Sequence, residues 1–140
     1  MTPYLSADIE RDEGCKLTAY KDTLGIWTIG VGHAHVEPGT VWTQAQADDQ
    51  LGKDIAAVCH GLDEDLPWWR SLDDARQDVL VNMAFNMGVN GLLTFRQALA
   101  SIQVGDYARG AQAMLASRWA GQVGDRAKRL ADQMRTGARA

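Results

Sequence analysis

Glu13 stands immediately before Gly14, and Asp22 lies in the turn-prone run Lys21-Asp22-Thr23-Leu24-Gly25. A helix end and a facing turn can hold two carboxylates apart across a cleft. Cleaving a glycosidic bond needs such a pair: a proton donor for the leaving oxygen and a second carboxylate on the far side of the ring. A carboxyl at a helix C-terminus meets the negative end of the helix dipole, which favours its protonated form. Glu13 is therefore the candidate acid, and Asp22, in a turn open to water, the candidate base. Thr28 follows on the adjoining segment, where its hydroxyl could hold a water together with Asp22. Acids in helices and turns are commonplace, as are threonines in strands, so these three residues alone leave a purely structural role open.

The elements that must position them can be read from punctuation and periodicity. Thr2-Pro3 suits a helix start and Gly14 the residue just past a helix end, which predicts a helix over about 3–13. Residues 18–20 and 26–29 read as short strands joined by the turn at 21–25. Gly30 and Gly32 mark backbone that must bend or be approached closely. Thr43-Gln44-Ala45-Gln46 reads as a capping box, opening a helix that Leu51, Ile55, Val58 and Leu62 carry to about Gly61. At 1.5 Å per residue that helix is roughly 27 Å long, enough to join two lobes. Pro67-Trp68-Trp69 interrupts the pattern, and Ser71, with Asp74 three residues on, is expected to cap the next helix. That helix, about 72–87, is apolar on nearly every side and should be the buried centre of a second lobe, ended by Gly88. Shorter helices are expected near 94–101, 106–117 and 125–136.

Bulk composition sets limits on this picture. The 140 residues suit one compact domain, folded into one or two lobes, and the 46% hydrophobic content suffices for a core. No window approaches the roughly 18 unbroken apolar residues of a membrane span, so no membrane insertion is expected. The first residues, MTPYLSADIERDEG, have no basic stretch leading into an apolar core, so the expectation is accumulation in the cytosol. Cys15 and Cys59 fit reduced thiols better than a disulfide framework. The net charge of −4 argues against a nucleic-acid binder, although the segment from Arg109 onward is rich in arginine. His33-Ala34-His35 lacks a third ligand at a convincing spacing, so no metal or other cofactor is expected.

Taken in order, Asp12-Glu13-Gly14, Tyr20-Lys21-Asp22 and Thr28-Ile29-Gly30-Val31-Gly32-His33 resemble the phage lysozyme family of glycoside hydrolases. The likeness continues through 82–88, Ser117-Arg118-Trp119, 126–129 and Arg135-Thr136-Gly137. It implies an α+β, mainly helical fold with two lobes: a small lobe at about 13–42, a connecting helix at about 43–61, and a helical lobe at about 66–140 with helix 3–13 packed on it. The cleft would lie between the lobes. The resemblance further implies hydrolysis of the β-1,4 bond between N-acetylmuramic acid and N-acetylglucosamine in bacterial peptidoglycan. Glu13 would be the general acid, Asp22 the carboxylate that positions water, and Thr28 the threonine beside that water, with the wider carboxylate spacing of inverting enzymes, roughly 6.5–9.5 Å. Gly32, Ala34, Phe85, Asn86 and Trp119 match positions along the sugar path, where Asn86 replaces a longer glutamine. His33 would pair with Asp54, and Arg126 with the catalytic glutamate. A monomer is expected, and use by a phage to lyse its host implies that the protein leaves the host cytoplasm through a lesion made by another protein. The segment 35–43 is shorter than in the T-even phage enzymes, which removes material from the small lobe.

Two rivals bear on the same residues. A lytic transglycosylase would use an acid without a water-directing aspartate, whereas Asp22 and Thr28 are both present. A wall-binding module without catalysis would retain aromatic residues and lose the acid, whereas Glu13 is present.

Overall fold

The structure is a computed structural model and describes residues 2–139. Its elements run α1 Leu5–Glu13, β1 Lys16–Lys21, β2 Trp27–Gly30, β3 His33–Ala34 and α2 Gln44–Asp65. A 3-10 turn at Trp69–Ser71 follows, then α3 Asp74–Leu93, α4 Arg96–Gln103, α5 Tyr107–Leu115, α6 Arg118–Val123 and α7 Asp125–Thr136. The fold is α+β and mainly helical, as expected, with one antiparallel sheet in the order β1-β2-β3. The chain divides into two compact units, one reaching Val58 and the other starting at Cys59.

The first unit holds α1, the sheet and α2 as far as Val58. Leu5 and Ile9 of α1, Ile29 of β2, Val31 just after it, and Ala47, Leu51 and Ile55 of α2 are buried. α1 starts at Leu5 rather than 3, with Tyr4 preceding it and offering no side-chain cap. The capping box at the start of α2 is complete: Gln46 Oε1 accepts from the Thr43 N–H at 2.8 Å, and Thr43 Oγ1 accepts from the Gln46 N–H at 3.1 Å.

The second unit is helical. Residues 78–84 of α3 are buried without interruption: Val79, Leu80, Val81, Met83 and Ala84 supply the apolar surface that demands it, and Asp78 and Asn82 are buried among them. α7 packs on α3, α5 and α6, and α4 packs on α5. Arg76 of α3 closes the C-terminal end of α7. Its Nε donates to the Met134 carbonyl at 2.6 Å and its Nη2 to the Arg135 carbonyl at 3.1 Å, while the guanidinium lies 3.6 Å from the Tyr107 ring centroid. A cation there also meets the negative end of the helix dipole.

Several boundaries differ from the sequence-based expectation. α2 does not stop at Gly61 but continues to Asp65. A Cβ at Gly61 would lie 3.0 Å from Val89 Cγ2, so this glycine admits a neighbouring side chain rather than ending the helix. Asp73, not Ser71, caps α3: its side chain accepts from the Arg76 N–H, while Ser71 Oγ donates to the Trp68 carbonyl. Gly88, at φ 81°, breaks α3 as expected, yet helical structure resumes and runs to Leu93. α4 accordingly starts at Arg96 rather than 94, and Ser117 opens a separate α6 instead of ending α5.

Candidate functional site

β1 and β2 form a hairpin in which Tyr20 faces Thr28 and Lys21 faces Trp27. Asp22 makes the turn. Its Oδ1 accepts from the Leu24 N–H at 2.8 Å and from the Ile26 N–H at 2.9 Å, while its own N–H donates to the Ile26 carbonyl at 2.9 Å. Short acidic side chains favour such turns because they can accept from backbone two residues on. Thr28, only 4% exposed, donates its hydroxyl to the same Ile26 carbonyl at 3.0 Å. The donor of Thr28 is thus engaged, and its oxygen retains lone pairs. Asp22 Oδ2 makes no hydrogen bond among the described residues. The arrangement can accept hydrogen bonds from a small polar molecule at both oxygens.

Glu13 is the last residue of α1 and is half-buried. Gly14, at φ 77°, ends the helix with its N–H on the Glu10 carbonyl at 2.7 Å, and β1 follows almost at once. One side chain reports on both carboxylates. The Tyr20 phenol is pushed above its ordinary range first by burial, then by the negative charges of Glu13 and Asp22. From sequence Tyr20 figured only in the run Tyr20-Lys21-Asp22 and was given no site role; its place at the end of the strand that leads into the Asp22 turn is the signal that could have found it.

The third strand completes the sheet. Ala34 pairs with Thr28, so Tyr20, Thr28 and Ala34 form one row across three strands. Gly30, at φ 63°, has no room for a side chain, since a Cβ would lie 2.9 Å from Trp42 Cζ3. Gly32 is exposed and also has positive φ. His33 Nδ1 lies 2.8 Å from Asp54 Oδ2, as the resemblance implied, and Gln50 Nε2 donates to Asp54 Oδ1 at 2.9 Å. The His33 ring also lies against Trp42, with centroids 5.7 Å apart. His33 thus ties β3 to α2. Among the described residues, no group of three His, Cys, Asp or Glu side chains is gathered as metal ligands.

The remaining candidates lie in the second unit. Phe85 and Asn86 precede the break at Gly88, the first half-buried and the second exposed. Asn86 Oδ1 accepts from the Trp119 indole N–H at 2.8 Å, so its shorter amide still reaches the tryptophan. Trp119 is buried and meets Phe95 edge-on, with centroids 5.9 Å apart. Both rings line a pocket of about 590 Å³ that Met87, Arg96, Arg118 and Gln122 also border. Phe85 and Asn86 are not among its lining residues, and the sequence reading did not single out Phe95. Arg126 is buried, with Nε and Nη2 donating to Asn82 Oδ1 at 3.0 and 2.8 Å.

Comparison with known proteins places these features in a wider context. Residues 10–135 match the phage lysozyme family. The chain is 28% identical over 158 residues to the probable T4-type lysozyme 1 of Dictyostelium discoideum, covering 92% of each chain. It is 30% identical to the pre-baseplate central spike protein Gp5 of Enterobacteria phage T4, covering 92% of this chain and 27% of that protein. It is 38% identical over 100 residues to an endolysin of Acyrthosiphon pisum secondary endosymbiont phage 1, covering 71% of this chain and 66% of the endolysin.

Proposed function

Since the chain belongs to the phage lysozyme family and is a lysozyme-type hydrolase that lyses peptidoglycan, we propose that it cuts the β-1,4 bond between N-acetylmuramic acid and N-acetylglucosamine with inversion. Glu13 gives its proton to the leaving oxygen. A water held by Asp22 Oδ2 and the Thr28 oxygen attacks the anomeric carbon from the opposite face, and Asp22 takes up the proton that this water loses. The bond from carbon to the leaving oxygen breaks as the bond to water forms, so no covalent sugar–enzyme intermediate arises.

The observation that carries this reading is the joint anchoring of Asp22 and Thr28 on Ile26, which keeps one acceptor oxygen of each available. Arg126 is proposed to steady Glu13, and Gly32, Ala34, Phe85, Asn86 and Trp119 to bind the sugar chain. The protein would work as a monomer and lyse the phage's bacterial host, leaving the host cytoplasm through a lesion made by a separate protein. No helix among the described residues is long and apolar enough to cross a membrane.

Digestion of purified peptidoglycan, followed by borohydride reduction of the new ends, tests the bond assignment. Reduced muramic acid supports it; reduced glucosamine or anhydro-muramic acid contradicts it. Early-time NMR of a cut oligosaccharide tests inversion, and a retained anomer contradicts it. A second role, as a component of a virus particle, draws on the match to a pre-baseplate central spike protein over 92% of this chain. Immunodetection of the protein in purified particles would favour that role over host lysis.

A further inference from the structure

Tyr20 occupies a position that strand packing alone does not explain. It lies directly across from Thr28 on β2, in the row that Ala34 completes on β3. Asp22 follows two residues on, in the turn just past the end of β1, close enough for its charge to act on the phenol. Glu13 ends the helix that leads into β1. The phenol is only half-buried, and its hydroxyl makes no hydrogen bond among the described residues. The ring is nonetheless held in place, with Lys16 Nζ 4.5 Å from its centroid. A partly exposed tyrosine, apolar at its ring and polar at its tip, can offer that hydroxyl to a ligand.

From this cluster we propose that Tyr20 is a sugar-binding residue at the cleavage point, its phenol hydrogen-bonding the saccharide held between Glu13 and Asp22. The inference rests on the reading of these two carboxylates as the acid and base. A phenol offers one donor and an acceptor on a stiff side chain with two rotatable bonds, which suits the hydroxyl and acetamido groups of an N-acetylated sugar. The two carboxylate charges reinforce this role. Together with burial they disfavour phenolate, so the hydroxyl remains a donor across the neutral range. Tyr20 takes no part in proton transfer. Its contribution is to binding, and because the bound sugar bridges acid and base, it sets where the scissile bond lies between them.

The test uses protein labelled at tyrosine Cζ and followed by NMR, with the Tyr20 signal assigned by its loss in Tyr20→Phe. In the wild type Tyr20 should titrate above an ordinary tyrosine, and Glu13→Gln or Asp22→Asn should each bring it down. Adding a chitin oligosaccharide to the Glu13→Gln protein should move the Tyr20 signal on saturation. Tyr20→Phe in an active background should raise KM roughly 3- to 10-fold, the loss of one neutral hydrogen bond, and leave kcat within about 2-fold. If the oligosaccharide binds, as read by calorimetry, while the Tyr20 signal stays still and Tyr20→Phe keeps the wild-type KM, the inference is overturned and the acid–base reading stands. If Glu13→Gln retains wild-type cleavage, that reading falls and takes this inference with it.

Discussion

Asp22 and Thr28 are tied to one residue between them. Ile26 gives its N–H to Asp22 Oδ1, and its carbonyl accepts from both the Asp22 N–H and the Thr28 hydroxyl. A turn built this way sets the two side chains relative to each other through backbone, independent of any ligand. It gives Asp22 a structural role beside the chemical one proposed for it, and the two can be separated.

Asp22→Asn keeps an oxygen that can accept from Leu24 and Ile26, removes the charge and turns the second oxygen into an NH2 donor. The fold should hold within about 0.5 kcal/mol while cleavage falls by two to four orders of magnitude, on the order of general-base effects. Asp22→Ala loses the turn bonds as well and should be less stable by about 1–2 kcal/mol. Urea denaturation and turnover, measured on both variants, check this pair. An active Asp22→Asn protein would make the aspartate a turn residue only.

His33 and Asp54 join β3 to α2 at 2.8 Å, with both side chains partly shielded from water. A double-mutant cycle with His33→Ala and Asp54→Ala should give a coupling of about 1 kcal/mol near neutral pH. The single His33 variant should cost more than that coupling, because it also loses the Trp42 contact. Additive losses would mean that the two residues are neighbours without being partners.

Asp63 accepts from Arg70 Nε and from the Trp69 indole, both at 2.8 Å. These bonds, the Arg70 one first, hold its carboxyl below the usual carboxylate range. Its contribution is therefore present above the unfolded value of about 3.9 and is lost as pH falls through the depressed folded value. The stability gap between wild type and Asp63→Asn should be constant from about pH 7 to 5 and close as the buffer is taken down through the depressed folded value. Thermal melts across that series check it; a gap that widened in acid would contradict the pairing.

Asn82 receives two bonds from the buried guanidinium of Arg126. Asn82→Ala should cost about 2–3 kcal/mol by leaving a buried charge with fewer acceptors. Arg126→Lys should not restore wild-type stability, since one ammonium does not reproduce a planar fork. Both variants should also lose activity if Arg126 steadies Glu13 as proposed, and unchanged turnover in a folded protein would make Arg126 structural alone.

The parts of this structure legible in sequence are those where local chemistry and tertiary packing agree. The capping box at Thr43 and Gln46, the continuous burial of 78–84 and the turn at Asp22 all form as the residues dictate in isolation. The misjudged boundaries lie where one residue type serves two purposes. Gly61 looks like a helix stop but makes room for Val89, and Gly88 breaks a helix that packing then resumes. Asp73 and Ser71 are both good caps, and the choice turned on which could reach the Arg76 N–H. Tyr20 and Phe95 were overlooked for a different reason. An aromatic on a strand or beside a helix is ordinary until the register across to Thr28, or the edge-on contact with Trp119, is known.

The central claim is that Glu13 supplies the proton that lets the glycan bond break. Replacing it by glutamine keeps the size of the side chain and removes the transferable proton. The measurement is the rate at which new reducing muramic acid ends appear in purified peptidoglycan, counted by mass spectrometry for wild type and Glu13→Gln at equal folded concentration. The account predicts a rate lower by two to four orders of magnitude, on the order of general-acid effects, in a protein whose melting temperature is nearly unchanged. A Glu13→Gln protein that releases these ends at a rate near wild type would contradict it.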